Sequence, residues 1–388
     1  MAELDASAIA ASAEAATGLS DYGGDEWQEG LERLVTALRD EAALNDLGRE
    51  IVVPELSAYL EIRLRIIEHR RTHPSLADAD VVPPIVIVGQ ARTGTTILFD
   101  LLAQDPANRV PLTWEVDKPV PPPRTADYLT DPRIAEVDDT LAGVELVLPG
   151  FRAMHPMGAL LGQECVRMTA CDFKSMIFPT QYRVPSYTRW LLDEAHMGSA
   201  YRWHRTYLQH LQSEHPAQRW VLKSPGHIWC LGALLAEYPD ALLVQTHRDP
   251  LRIVSSLGSL VARLRSLASD APTIPDAAGE FADYILDGVD RSVTAREDGT
   301  VRSPHAVDVQ FRAFMADPFA TIREIYERLG LALDPAAEQR MRAFLDTHGQ
   351  EGGGHRYRWS DTGLDEVPLR ARARRYQEYF GVPSEPLD

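Results

Sequence analysis

The fold class of this 388-residue sequence is decided by residues 81–103, VVPPIVIVGQARTGTTILFDLLA. The stretch begins with an apolar, β-branched run over 81–88, which is typical of a parallel strand buried on both faces. Prolines stand at the entrance of the run and Gly89 at its exit, and residues 95–103 then have the apolar pattern of a helix. A strand, a glycine-containing loop and a helix in this order open many nucleotide-binding α/β domains.

Three more strand-to-helix units follow this first one. Each begins with a short apolar strand and continues into a helix, and the pairs are 219–222 with 226–237, 241–246 with 250–265, and 306–311 with 318–329. Alternating strands and helices favour a parallel sheet with helices on both faces. The sequence therefore predicts an α/β protein with a three-layer α/β/α arrangement.

The rest of the chain is predicted to be helix and loop. Apolar residues recur at helical spacing in 27–49 and 55–70, so residues 1–80 are predicted to be a helical region packed on an α/β domain of residues 81–388. Five prolines in 116–133 predict a loop. Residues 155–215 are helical in pattern and rich in aromatic side chains, which fit either a roomy apolar acceptor pocket or core packing.

Composition narrows the possible functions. There are 57 acidic residues against 39 Lys and Arg, giving a net charge of -18, and the first 80 residues hold 17 of the acids. This excess of acid argues against a nucleic-acid partner. The three cysteines match neither a zinc site nor a redox pair, and no run is apolar enough for a transmembrane segment. We expect a cytoplasmic protein, and the sequence does not indicate its oligomeric state.

Two loops have the composition of anion-binding sites. Gly89–Thr96 follows the first strand, and N–H groups at the start of the next helix can bind a phosphate there. It is not a Walker A loop, because Thr95 stands where that pattern has lysine and the basic residue is Arg92. Arg248 ends a later strand, and Ser256 follows it by eight residues, so a guanidinium fork and a hydroxyl could hold a second phosphate. The structural alternative for the first loop is a tight strand-to-helix turn. The alternative for the second loop is a helix-capping Asp-Pro pair with a structural arginine.

Together GQARTGTTIL and HRDPLRIVSS resemble the paired donor loops of sulfotransferases. WVLKSPGH is similar to the strand-plus-lysine segment of that family, and GHRYRWSDTGL resembles the C-terminal basic loop of its bacterial members. The resemblance implies the P-loop-like sulfotransferase fold. It also implies transfer of a sulfuryl group from 3′-phosphoadenosine-5′-phosphosulfate (PAPS) to a small-molecule, lipid or glycolipid hydroxyl, with release of adenosine 3′,5′-bisphosphate and no metal.

The resemblance also implies which residues hold the donor. They are Arg92, Thr93, Gly94, Thr95 and Thr96 in the first loop, Arg248 and Ser256 in the second, and Arg356 in the C-terminal segment. Charge develops on the bridging oxygen as the S–O bond breaks, so cations and N–H donors are needed at that oxygen. Arg92 and Lys223 are the cations that the resemblance places there.

The acceptor hydroxyl must lose a proton, and three residues are candidates for the general base. Glu115 follows the first loop, as the catalytic Glu of some sulfotransferases does, but it could be solvated or paired with an arginine. Glu164 stands beside apolar residues, where burial would raise its pKa, but it could pair with Arg167 on its own helix. His227 follows Lys223 by four residues, but it could be a helix cap.

Two other functions fit the same fold. One is a P-loop kinase acting on a small molecule, although Thr95 in place of lysine argues against it. The other is an inactive nucleotide-binding protein that has kept the fold and lost the reaction. The presence of Arg92, Lys223, Arg248 and Ser256 together argues against such a loss.

Overall fold

The structure is a computed structural model and describes residues 4–150, 156–302, 305–348 and 357–387. The strands are β1 (Ile85–Val88), β2 (Val221–Lys223), β3 (Leu242–His247) and β4 (Ala306–Gln310). The α-helices are α1 (Ala6–Thr17), α2 (Trp27–Glu41), α3 (Asp46–Thr72), α4 (Thr95–Leu102), α5 (Thr113–Asp117), α6 (Arg133–Val147), α7 (Cys165–Thr169), α8 (Ile177–Gln181), α9 (Pro185–Asp193), α10 (Gly198–Leu211), α11 (Leu231–Glu237), α12 (Pro250–Arg265), α13 (Ile274–Glu297), α14 (Phe311–Ala316), α15 (Pro318–Arg328), α16 (Pro335–His348) and α17 (Glu366–Phe380).

The four strands form one parallel sheet in the order β2-β1-β3-β4. Ile85 lies opposite both Val221 and Leu242, and Leu243 lies opposite Ala306. Because all the strands run the same way, their carboxyl ends meet at one edge of the sheet. The loops that follow them share this edge, which is where ligands bind in open α/β sheets.

Helices cover both faces of the sheet. Val86 and Val88 of β1 belong to an apolar cluster that includes residues of α1, α2, α3 and α10. Ile85 and Ile87 point the other way, into a cluster with residues of α4 and α15. Alternate side chains of one strand thus enter two cores, which confirms the predicted three-layer arrangement and explains the unbroken apolar run.

The helical N-terminal region packs through α2 and α3 onto the middle segment of the chain, around Asp172 and Phe173. The rings of Trp27 and Phe173 have centroids 6.2 Å apart, and Arg63 forms a buried ion pair with Asp172 at 3.1 Å. Burial of an arginine is tolerated here because a carboxylate is bound to it. No helix in the described ranges has both the length and the apolar character needed to cross a bilayer.

The strand boundaries differ from the predicted ones for a simple reason. The first strand was predicted over 81–88 but begins at Ile85, because Pro83 and Pro84 have no N–H to donate to a neighbouring strand. β2 extends to Lys223 and so includes the lysine predicted to follow it.

The aromatic side chains of the middle segment are core residues, at most 4% exposed, and they are Tyr182, Tyr187, Trp190, Tyr201, Trp203 and Tyr207.

Candidate active site

The loop between β1 and α4 is held in a conformation that glycine makes possible. Gly89 has φ 134°, and a Cβ atom there would lie 2.4 Å from Oγ1 of Thr246 on the adjacent strand. Arg92 and Gly94 are left-handed, with φ of 68° and 87°. For a non-glycine residue such as Arg92, this conformation costs about 1 kcal/mol. Backbone turns of this kind aim successive N–H groups at an anion, so the loop has the form expected of a phosphate site.

The hydroxyls of the loop have different surroundings. Thr93 is 1% exposed, and its Oγ1 donates to the carbonyl of Gln90 at 2.6 Å and lies 2.6 Å from Oγ1 of Thr246. Its hydroxyl therefore fixes the loop from within, so only its backbone is available to a ligand. Thr95 is also buried, at 4% exposure, whereas Thr96 reaches toward Lys223 with 3.5 Å between Oγ1 and Nζ.

Lys223 forms an ion pair with one of the three candidate bases. Its side chain is 2% exposed, and its Nζ donates to Oε1 of Glu164 at 2.5 Å. Glu164 immediately precedes α7 and keeps 20% of its side chain exposed. The lysine ammonium is thus buried at the edge of the sheet beside the loop, and the carboxylate of Glu164 is partly exposed to solvent. The alternative partner, Arg167, donates to Asp117 at 2.9 Å instead.

Glu115 has a different environment. It is fully buried, and its two oxygens accept from Arg109 at 2.6 Å, from the Leu112 N–H at 3.0 Å and from the Tyr128 hydroxyl at 2.9 Å. These partners lie outside the loop 89–96. Arg109 itself pairs with the chain just before β2, at the end of that strand opposite Lys223. The arginine-paired alternative therefore describes Glu115, and this geometry favours a structural role over the catalytic one first expected.

His227 is buried behind the lysine. Its Nδ1 lies 2.8 Å from the Tyr201 hydroxyl, and burial lowers the pKa of His227 to about 3. An imidazole with so low a pKa is a poor general base. The helix-cap alternative also fails, since Ser224 caps that turn by accepting from the Gly226 N–H. A cavity of about 20 Å³ beside His227 has room for one water molecule and not for an acceptor.

The two predicted anion loops meet in the structure. Nε of Arg92 donates to Oγ of Ser256 at 3.0 Å, and Nη1 of Arg248 donates to the carbonyl of Arg92 at 3.0 Å. Arg248 also lies over the ring of Phe311, 4.1 Å from its centre. Burial lowers the pKa of the Arg92 guanidinium below its usual value, and the group stays charged at neutral pH because that usual value is so high. Two guanidinium groups and a hydroxyl thus lie at one edge of the sheet.

The sequence did not reveal the partners of the second loop. Asp249 caps α12, and it also accepts two hydrogen bonds from Nη1 of Arg370, at 2.6 and 2.7 Å. Arg370 belongs to α17 and keeps 20% of its side chain exposed. Arg248 is paired with Glu385, and no local pattern points to either contact because each partner is more than 100 positions away.

Two further arginines lie in the C-terminal segment and in the first turn of α12. Arg358 is exposed, and Arg252 donates to the carbonyl of Leu387. The prediction for Arg356 falls outside the described residues. The described residues therefore provide Arg92, Lys223 and Arg248 as cations, with Glu164 paired to Lys223 and Glu385 paired to Arg248.

Comparisons with known proteins agree with this geometry. Residues 83–335 match the profile of the family described as the sulfotransferase family. The omega-hydroxy-beta-dihydromenaquinone-9 sulfotransferases Stf3 of Mycobacterium bovis and Mycobacterium tuberculosis are each 26% identical to this chain over 279 residues, which is 69% of this chain and 67% of theirs.

Two solved structures match over nearly the full length. Sulfotransferase STF9 from Mycobacterium avium is 32% identical, with a TM-score of 0.90 over 98% of both chains. Sulfotransferase STF1 from Mycobacterium tuberculosis is 30% identical, with a TM-score of 0.85 over 96% of this chain and 99% of its own. The similarity thus includes the helical N-terminal region as well as the sheet.

Proposed function

Because the chain belongs to the sulfotransferase family, we propose that it transfers the sulfuryl group of PAPS to the hydroxyl of an acceptor and releases adenosine 3′,5′-bisphosphate. The observation that carries this proposal is that Lys223 contacts both Glu164 and Thr96, the last residue of the loop 89–96. A buried ammonium, a partly exposed carboxylate and a cradle for an anion are the groups that sulfuryl transfer requires in one place.

The loop fits the sulfated end of the donor. A Cβ at Gly89 would fill the space against Thr246, so the loop can keep its shape only with glycine there. We assign the 5′-phosphosulfate to the backbone of residues 89–96 and to Arg92, and the 3′-phosphate to Arg248 and Ser256. A local cluster of cations is required, because the net charge of -18 gives no overall attraction for an anion.

Each residue then has a definite part in the reaction. As the acceptor oxygen forms its bond to sulfur, the bond from sulfur to the bridging oxygen of the donor breaks. Lys223 and Arg92 stabilise the charge that develops on that bridging oxygen. Glu164 accepts the proton of the acceptor hydroxyl, a role supported by the 2.5 Å contact between its Oε1 and Nζ of Lys223.

We further propose a hydroxylated lipid as the acceptor. The matching relatives are named omega-hydroxy-beta-dihydromenaquinone-9 sulfotransferases. By that likeness we expect the acceptor hydroxyl to lie on an isoprenoid chain. The aromatic side chains between Tyr182 and Tyr207 belong to the core, so the acceptor must enter elsewhere, at the exposed side of Glu164.

A labelling experiment tests the function and the base together. The protein is incubated with ³⁵S-labelled PAPS and a panel of hydroxylated isoprenoids, steroids, glycolipids and phenols. We expect label in an isoprenoid alcohol, a loss of about 100-fold or more in turnover for Glu164→Gln, and no loss for Glu324→Gln, whose carboxylate pairs with Arg328 on an exposed helix face. Donor binding without transfer to any of these alcohols would contradict the lipid assignment, and absence of donor binding would contradict the function itself.

A further inference from the structure

The segment 366–387 contacts three consecutive residues at the carboxyl end of β3. Nδ1 of His247 lies 2.9 Å from the hydroxyl of Tyr376, and Asp249 is bound by Arg370. Between them, Arg248 is bound by Glu385. This segment of α17 and the turn after it is therefore fastened directly to the loop that we assign to the 3′-phosphate.

The pair of Arg248 and Glu385 is a two-point contact. Nε of Arg248 lies 3.1 Å from Oε1 and Nη2 lies 3.3 Å from Oε2, so one edge of the guanidinium fork is occupied by the carboxylate. The backbone N–H of Glu385 donates to Oδ2 of Asp249 at 2.6 Å, which fixes the carboxylate in this position.

The pair is accessible to a small ligand. Arg248 and Glu385 retain 12% and 13% side-chain exposure, and both line a cavity of about 240 Å³ together with Phe311 and Pro383. A phosphate that reaches Arg248 meets a guanidinium that already holds an anion. A phosphate and a carboxylate on the same fork edge would repel each other at close range.

We infer that Glu385 is an internal competitor for the 3′-phosphate of the donor: its carboxylate occupies Arg248 in the free protein and leaves when the phosphate binds. The inference rests on the proposed function, because it takes Arg248 as the 3′-phosphate ligand. It adds that the apparent donor affinity is the intrinsic affinity multiplied by the fraction of molecules in which Glu385 does not hold Arg248. By linkage, ligand binding loosens the contacts of Glu385 by the same factor.

Calorimetry with adenosine 3′,5′-bisphosphate tests this inference. We expect Glu385→Gln to bind the bisphosphate about three- to tenfold more tightly than the wild type, because one partly buried ion pair no longer competes. Adenosine 5′-monophosphate, which has no 3′-phosphate, should bind both proteins equally. Glu378→Gln is the matched control, since Glu378 is an exposed acid on α17 and its loss changes the net charge equally; it should leave both affinities unchanged.

Each result decides a separate point. Unchanged or weaker bisphosphate binding by Glu385→Gln would overturn the competition, as would an equal gain for the monophosphate or for Glu378→Gln. If neither the wild type nor the variants bind the bisphosphate, the donor assignment fails and the competition fails with it. Hydrogen exchange gives a second readout: the amide of Glu385 should exchange faster in the bisphosphate complex than in the free protein, and slower exchange there would contradict displacement.

Discussion

The Glu115→Gln substitution separates a structural carboxylate from a catalytic one. Glu115 is fully buried and accepts from Arg109, from the Leu112 N–H and from the Tyr128 hydroxyl. Glutamine has nearly the same shape but carries no charge, and its amide group can accept at only one end. The substitution therefore leaves the buried Arg109 guanidinium without its anion and at least one donor without an acceptor.

The loss in the free energy of unfolding can be worked out from these contacts. Removing one partner of a buried ion pair destabilises a protein by about 3–5 kcal/mol. Burial raises the pKa of Glu115, and Arg109 opposes that rise. Because burial already disfavours the charged carboxylate, part of the effect of removing its charge is offset. We therefore expect the free energy of unfolding to fall by about 3 kcal/mol at neutral pH. Turnover per folded molecule should stay within about twofold of the wild type, because the partners of Glu115 lie outside the donor loop.

Glu164→Gln gives the opposite result if the assignment is right. The free energy of unfolding should fall by less than in Glu115→Gln, since Glu164 keeps 20% of its side chain exposed, while turnover falls by about 100-fold or more. Both variants are measured by chemical unfolding and by transfer of ³⁵S from PAPS. A Glu115→Gln protein with wild-type stability and a 100-fold loss of turnover would refute the reasoning and restore Glu115 as the base.

Three further outcomes follow from the same structure. Gly89→Ala should destabilise the protein by about 3 kcal/mol and weaken donor binding, because φ is 134° and the new Cβ would lie 2.4 Å from Thr246 Oγ1; Gly232→Ala, where the new Cβ has no neighbour within 4 Å, is the control, and equal effects in thermal unfolding would contradict the clash. Arg92→Ala should reduce turnover by about 100-fold or more and weaken binding of adenosine 3′,5′-bisphosphate. Wild-type kinetics for this variant would show that Arg92 does not belong to the site. The pKa of about 3 for His227 gives a pH effect: below pH 6.5 the unfolded chain binds a proton that the folded protein does not, so His227 lowers stability by about 2 kcal/mol between pH 6.5 and 5. Urea unfolding at the two pH values should therefore show a smaller loss for His227→Gln, and identical losses would show that His227 is not held neutral.

Much of the fold could be predicted from short stretches of sequence. The run 85–88 is apolar at every position because β1 is buried on both faces, and this property is visible without knowing its neighbours. Gly89 and Gly94 mark the loop because left-handed backbone conformations favour glycine. The same local patterns predicted the two anion loops, and parallel strands brought them together at one edge.

The partners of the carboxylates were decided only by the tertiary structure. Glu115 and Glu164 both stand in apolar surroundings in the sequence, yet one pairs with Arg109 inside the protein and the other with Lys223 at the edge of the sheet. Lys223 is 59 positions from Glu164, and Arg248 is 137 positions from Glu385. Which acid meets which base over such separations depends on how whole helices pack, because an ion pair is set by distance in space and leaves no periodic signal in the chain.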